Sequence, residues 1–121
     1  MFEIIVNDKF SAAHKIYDYP GHCANLHGHN WRIELRLKSD RLNKIQMAID
    51  FTDAKKILHQ IVEKFDHSDL NNNEILAGEN PTAEVIAITI YNLIKKEIPS
   101  DVNIKSVTVW ESENNGVLYY E

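Results

Sequence analysis

Residues 23–30 read CANLHGHN and place one thiol and two imidazoles in a segment that glycine and asparagine keep irregular. On a strand starting near residue 27, His27 and His29 project from one face, about 6.5–7 Å apart. His14 shares the parity of Phe10 and Ala12 in the apolar alternation before it. A hairpin pairing of the two strands, with no bulge between, brings it to the same end of that face. Three neutral imidazoles around one point, with no fourth side chain demanded, suit a catalytic zinc ion that keeps one position open for water or substrate. An H-x-H pair alone is also common surface decoration in a chain with six histidines, so the third imidazole carries the argument. Gly28 lets a ligand approach the backbone or simply relieves strain where the strand begins.

Other residues have two readings each. Cys23 is the single cysteine; a lone cysteine packs as a small inert hydrophobe or, in a polar loop, acts as a reactive thiol. Asp66 and His67 follow a helical stretch, where an imidazolium suits the negative end of the helix dipole, and they also form an acid–base pair. Glu111 has the parity of Val107 and Val109, which would turn a carboxylate toward the core. Such a group sits at the exposed end of the sheet or binds a ligand. His59 lies off the apolar stripe of its helix and His22 in a loop, so both read as solvated.

The elements that must position these groups follow from the hydrophobic period. Residues 2–14 are apolar at even positions and 31–37 at odd ones, with Arg32, Glu34, Arg36 and Lys38 opposite, so both are strands with one buried face. KIQMAI (44–49) reads as a third strand running into Asp50, a helix cap. Ala54, Ile57, Leu58, Ile61, Val62 and Phe65 form a helical stripe, which SDLNNNE interrupts. A second helix starts at NPT, with Asn80 as cap and Pro81 in the first helical position, and ends before Pro99. VNIKSVTVWE (102–111) and GVLYY (116–120) read as strands joined by a turn. Strands, two helices and strands again, without a βαβ rhythm, predict one α+β domain over residues 1–121, its helices packed on one face of an antiparallel sheet.

Composition limits the function. Thirteen basic against eighteen acidic residues leave a net charge of −5, and no Lys/Arg cluster offers a nucleic-acid stripe. No basic-then-apolar leader opens the sequence and no run is long enough to span a bilayer, so a cytoplasmic protein with no membrane partner is expected. A small anionic molecule remains a suitable partner.

FSAAH, CANLHGHN, IDFTDAKK, FDHSDLN, NPTAE and VTVWE, in this order and spacing, resemble the 6-pyruvoyltetrahydropterin synthase family over nearly the whole chain. The three-residue gap between Cys23 and His27 is similar to its bacterial 6-carboxytetrahydropterin synthase branch in queuosine biosynthesis. The resemblance implies a tunnelling fold that assembles into barrels and then a tetramer or hexamer. It implies zinc on His14, His27 and His29, and catalysis by Cys23 with Asp66 and His67. It further implies a pterin anchored by Glu111, with a polar contact from Thr82. The implied substrate is 7,8-dihydroneopterin triphosphate; the implied products are 6-carboxytetrahydropterin, acetaldehyde and triphosphate. The alternatives are triphosphate elimination to 6-pyruvoyltetrahydropterin, or a binder of zinc or pterin without catalysis. Val85 replaces an asparagine frequent in the family, and KIQMAIDF lacks a glycine frequent before DF.

Overall fold

The computed structural model describes residues 1–21 and 24–121. Two long strands, β1 (Phe2–His14) and β2 (His27–Ser39), form its centre. They pair antiparallel in unbroken register from Phe2 opposite Ser39 to His14 opposite His27. After β2 come α1 (Phe51–Val62), the two-residue β3 (Ser68–Asp69), α2 (Ala83–Lys95), β4 (Asn103–Trp110) and β5 (Gly116–Tyr119). The sheet order is β3-β1-β2-β4-β5. All pairings are antiparallel except β1 with β3, which runs parallel and aligns Ala12 with Ser68 and Ala13 with Asp69. A strand this short leaves no periodic signal, so the sequence reading lacked it.

Alternation decides which face is covered. Ile4, Val6, Phe10 and Ala12 of β1 and Trp31, Ile33, Leu35 and Leu37 of β2 are buried on the side where α1 and α2 pack. Leu58 and Ile61 of α1 and Ile86, Ile90 and Ile94 of α2 close this core. Phe10 lies between Trp31 and Phe65, with ring centroids 5.8 and 5.5 Å away. The opposite face carries exposed Lys9 and Arg32; the guanidinium of Arg32 sits 4.9 Å from the centre of the Trp110 ring.

Both helices begin at side-chain caps. Asp50 Oδ1 accepts the Thr52 N–H at 2.8 Å, as the sequence predicts. The second cap differs from expectation: Thr82, not Asn80, caps α2, its Oγ1 accepting the Val85 N–H at 3.2 Å. Pro81 therefore precedes the cap, and Asn80 is free for another task. The expected strand at 44–49 is also absent. Asn43 Oδ1 accepts the N–H groups of Ile45 and Met47, and Gln46 adopts a φ of 66°, so the segment is a closed turn. Ile45 is 68% exposed, which shows that its apolar alternation reports no buried face.

Candidate metal centre

The register of β1 and β2 builds the centre. His14 lies directly opposite His27, and His29 opposite Ala12, so three imidazoles converge at one end of the covered face. One ring nitrogen from each lies within 4.8 Å of the others. The ring centroids are 4.6 Å apart for His14 and His27, 5.1 Å for His14 and His29, and 4.8 Å for His27 and His29. Trp31 forms the floor, its ring edge-on to His14 and His29 and its Nε1–H donating to the Ala12 carbonyl at 3.2 Å.

Neighbouring carbonyls fix the tautomers. The His14 Nδ1 lies 2.8 Å from the Pro81 carbonyl oxygen and the His27 Nδ1 lies 2.6 Å from that of Asn25. A carbonyl only accepts, so both Nδ1 atoms are protonated donors and both Nε2 atoms present lone pairs. This is the outer-shell arrangement of metal-binding histidines. Among the described residues, the Nε2 atoms of His14 and His29 are buried without a hydrogen-bond partner. Leaving such groups unpaired costs about 1–3 kcal/mol each, and a shared cation removes that cost. The three histidines could therefore hold a metal ion.

Glu111 follows β4 and its carboxylate comes within 3.5 Å of His29 Nε2 and 3.9 Å of His14 Nε2. Burial pushes the His29 imidazole below its ordinary 6.5, the Glu111 carboxylate pulls the other way, and the neighbouring imidazoles of His14 and His27 add to the lowering. Burial prevails, so His29 is neutral near pH 7 and its contact with Glu111 is not an ion pair. The parity of Glu111 with Val107 and Val109 is thus observed, at the open end of the sheet, with the side chain 34% exposed. Glu111 and Thr82 line one cavity with Tyr19, Glu84 and Asn115.

Asp66 and His67 lie on the other side of β1. Asp66 Oδ1 accepts the Ser11 N–H at 2.9 Å, the His67 N–H donates to the Ser11 carbonyl at 2.7 Å, and Asp66 Oδ2 lies 2.9 Å from His67 Nδ1. The Ser11 N–H, with help from His67, holds the Asp66 carboxyl below its ordinary range. His67 adopts a left-handed φ of 53°, a strained conformation outside glycine that leaves its ring 84% exposed. Their side chains bond each other and the Ser11 N–H and not the three histidines or Glu111, while His67 lines one cavity with Gly28, His29 and Asn30. Asp66 and His67 end no helix, since α1 stops at Val62 with Glu63 as its C-cap. Cys23 and His22 lie outside the described residues. His59 is exposed, as predicted, and bonds Asp8 at 2.8 Å and Glu63 at 3.1 Å. The orienting Pro81 carbonyl and the indole floor were missed, because neither belongs to a residue type that signals metal binding.

A five-stranded sheet backed by two helices, with three imidazoles and a carboxylate at one end of its covered face, defines an α+β domain built around a candidate metal centre. The model of the 6-pyruvoyl tetrahydropterin synthase family matches residues 3–121. The chain belongs to that family and is an enzyme. It is 34% identical over 125 residues to the 6-carboxy-5,6,7,8-tetrahydropterin synthase of Synechocystis, covering 99% of this chain and 94% of the relative. It is 35% identical over 116 residues to the dihydroneopterin monophosphate aldolase of Pyrococcus furiosus, covering 94% and 93%. Among solved structures, the 6-pyruvoyl tetrahydropterin synthase of Caenorhabditis elegans matches with a TM-score of 0.86 at 25% identity, covering 99% of this chain and 95% of that one. The fold is therefore the tunnelling fold that the sequence motifs implied.

Proposed function

We propose that the protein is a zinc-dependent 6-carboxy-5,6,7,8-tetrahydropterin synthase of queuosine (7-deazaguanine) biosynthesis in the cytoplasm. It converts 7,8-dihydroneopterin triphosphate to 6-carboxytetrahydropterin and releases acetaldehyde and triphosphate. The observation that carries this reading is the cluster of His14, His27 and His29, two of its Nε2 atoms unpartnered, in a chain related end to end to a synthase of that name.

These histidines hold the zinc, which when bound polarises a substrate hydroxyl and lowers its pKa. Glu111 accepts hydrogen bonds from the 2-amino group and ring N–H of the pterin, a charge-assisted pair. Thr82 Oγ1 already accepts from Val85, so its hydroxyl hydrogen is available to the same ligand. Cys23 moves a proton at carbon; a free thiol has a pKa of about 8.5, and a nearby imidazolium or metal lowers it. In His67 the Nδ1–H is engaged by Asp66, which leaves Nε2 as the second acid–base group. No helix among the described residues is long and apolar enough to cross a membrane.

Among the described residues His67 bonds Asp66 and Ser11 and none of the three histidines, so the reading includes a homo-oligomer, tetramer or hexamer, in which one copy's His67 serves another copy's centre. Unpaired sheet edges support it: β3 covers β1 only at Ala12 and Ala13, and β5 ends the sheet on the other side. A second reading, aldol cleavage of a dihydroneopterin monophosphate, is favoured by the Pyrococcus relative.

Mass spectrometry of products separates the readings when zinc-loaded protein meets 7,8-dihydroneopterin triphosphate and, separately, the monophosphate, beside Cys23→Ala. The proposal expects 6-carboxytetrahydropterin and acetaldehyde from the triphosphate, lost in the variant. A 6-pyruvoyl product, turnover of the monophosphate alone, or no turnover of either with zinc bound contradicts it.

A further inference from the structure

Past His14 the chain is held against the start of α2. The Tyr17 N–H donates to Asn80 Oδ1 at 2.9 Å, and Asn80 Nδ2 donates to the Tyr17 carbonyl at 3.3 Å. The Thr82 N–H in turn donates to the Asn80 carbonyl at 2.8 Å, so one asparagine joins this segment to the residue that caps α2. Asp18 then takes a left-handed φ of 61°, uncommon outside glycine, and turns the chain. Such a conformation persists where its surroundings hold it, as the clamp on Tyr17 does here. Pro20 follows Tyr19 and restricts its backbone to an extended form. The Tyr19 ring also packs close to Gly21, where an added Cβ would lie 3.3 Å from Tyr19 Cε1.

These constraints set Tyr19 at the edge of a cavity of about 350 Å³. The start of α2 forms one wall with Thr82 and Ala83, the end of the sheet a second with Glu111 and Val117, and the clamped segment a third with Ile16 and Tyr19. A half-exposed tyrosine is ordinary by itself. This one is 51% exposed although its backbone is fixed on both sides, and it is the one aromatic side chain among the described residues lining the cavity. A flat heteroaromatic ring carries its hydrogen-bonding groups at its edges, and its faces are bound by apolar or aromatic surface. Glu111 suits an edge. Ile16 and Val117 add apolar surface, but only Tyr19 offers a ring on which a face can stack.

We propose that Tyr19 is a substrate-recognition residue, its ring stacking on the pterin whose 2-amino edge Glu111 accepts. This rests on the reading of Glu111 as the pterin anchor. A stack on the bicyclic ring takes no account of the phosphates and holds ground state and transition state alike, so Tyr19 acts on binding and not on the bond-breaking step.

The test titrates neopterin, the oxidised pterin without phosphates, into zinc-loaded wild-type protein and into Tyr19→Ala, Tyr19→Leu, Tyr19→Phe and Glu111→Gln in a calorimeter. Zinc content, thermal midpoint, and kcat and KM for 7,8-dihydroneopterin triphosphate are measured beside it. Truncating a stacking aromatic to alanine weakens binding of a base by about 5- to 150-fold, and Tyr19→Ala should weaken neopterin by that factor at unchanged zinc content. Tyr19→Phe keeps the ring and should stay within about twofold of the wild type, with Tyr19→Leu between the two. KM should rise in the same order, smallest for phenylalanine and largest for alanine, with kcat within about twofold. Wild-type affinity in Tyr19→Ala overturns the proposal, as does an equal loss in Tyr19→Phe, which would assign the effect to the hydroxyl. If Tyr19→Ala does not melt cooperatively, the other two decide: equal affinities in Tyr19→Leu and Tyr19→Phe overturn it. Wild-type affinity in Glu111→Gln contradicts the anchor instead, and the Tyr19 series still reports the stack. Neopterin that does not bind the wild-type protein contradicts both.

Discussion

Replacing Trp31 with phenylalanine should weaken the fold and the metal centre together, because one side chain serves both. Trp31 is fully buried, stacks on Phe10, lies edge-on to His14 and His29, and donates its Nε1–H to the Ala12 carbonyl. Loss of the larger ring opens a void on the order of 40 Å³, which at about 24 cal/mol per Å³ costs about 1 kcal/mol. The Ala12 carbonyl loses the indole donor, which adds about 1–3 kcal/mol. Unfolding entropy of about 2.1 cal/mol/K per residue gives about 0.25 kcal/mol per degree for this chain, so the combined loss of about 2–4 kcal/mol lowers Tm by about 8–16 °C. The two imidazoles lose the wall that sets their rotamers, and metal affinity should fall about 10- to 100-fold, the usual effect of removing an outer-shell support. Calorimetry of the metal-free protein and competition titration with a zinc chelator measure the two effects. An unchanged Tm, or a lowered Tm with wild-type affinity, would refute the reasoning that the indole supports both.

Removing the α1 cap by Asp50→Ala should cost about 0.5–2 kcal/mol in a denaturant titration and leave zinc affinity unchanged, since Asp50 caps a helix start outside the histidine cluster. In Gly116→Ala the new Cβ would meet Trp110 Cε3 at 2.8 Å and the Val109 carbonyl at 3.0 Å; the β4–β5 turn must shift, and a loss of about 1–3 kcal/mol is expected by the same titration. The hydrogen bond to Asp8, together with the Asp8 and Glu63 charges, raises the His59 pKa above 6.5. A raised pKa stabilises the fold in full below the unfolded value and loses that effect as pH rises through the folded one. The Tm gap between wild type and His59→Ala should therefore be largest below pH 6.5 and close at higher pH; a gap that widens with pH would contradict the contact.

The centre was legible in the sequence because it rests on strand parity alone. Thirteen-residue β1 and β2 pair without a bulge, so His14 falls opposite His27 as the even and odd alternations require. The helix beginning at Asp50 was equally plain, since its cap and apolar stripe agree. KIQMAI misled because Ile45, Met47 and Ile49 alternate like a strand, while the Asn43 side chain closes the segment into a turn that no period reveals. At NPT two local rules competed: proline suits the first helical position, but Thr82 reaches the Val85 N–H and Asn80 is drawn to Tyr17. That last contact spans 63 positions, as the Ser11–Asp66 contact spans 55. Contacts at such separations follow from tertiary packing, which is why the side of the sheet taken by Asp66 and His67 could not be read in advance.

The central claim is that His14, His27 and His29 hold the metal through Nε2. X-ray absorption at the zinc edge, on protein purified without a histidine tag and beside His14→Ala, tests it most directly. The account predicts one zinc per chain with three imidazole nitrogens at about 2.0–2.1 Å, and one imidazole fewer with weakened binding in the variant. Untagged protein that binds no zinc, or a coordination sphere unchanged by loss of His14, would contradict it.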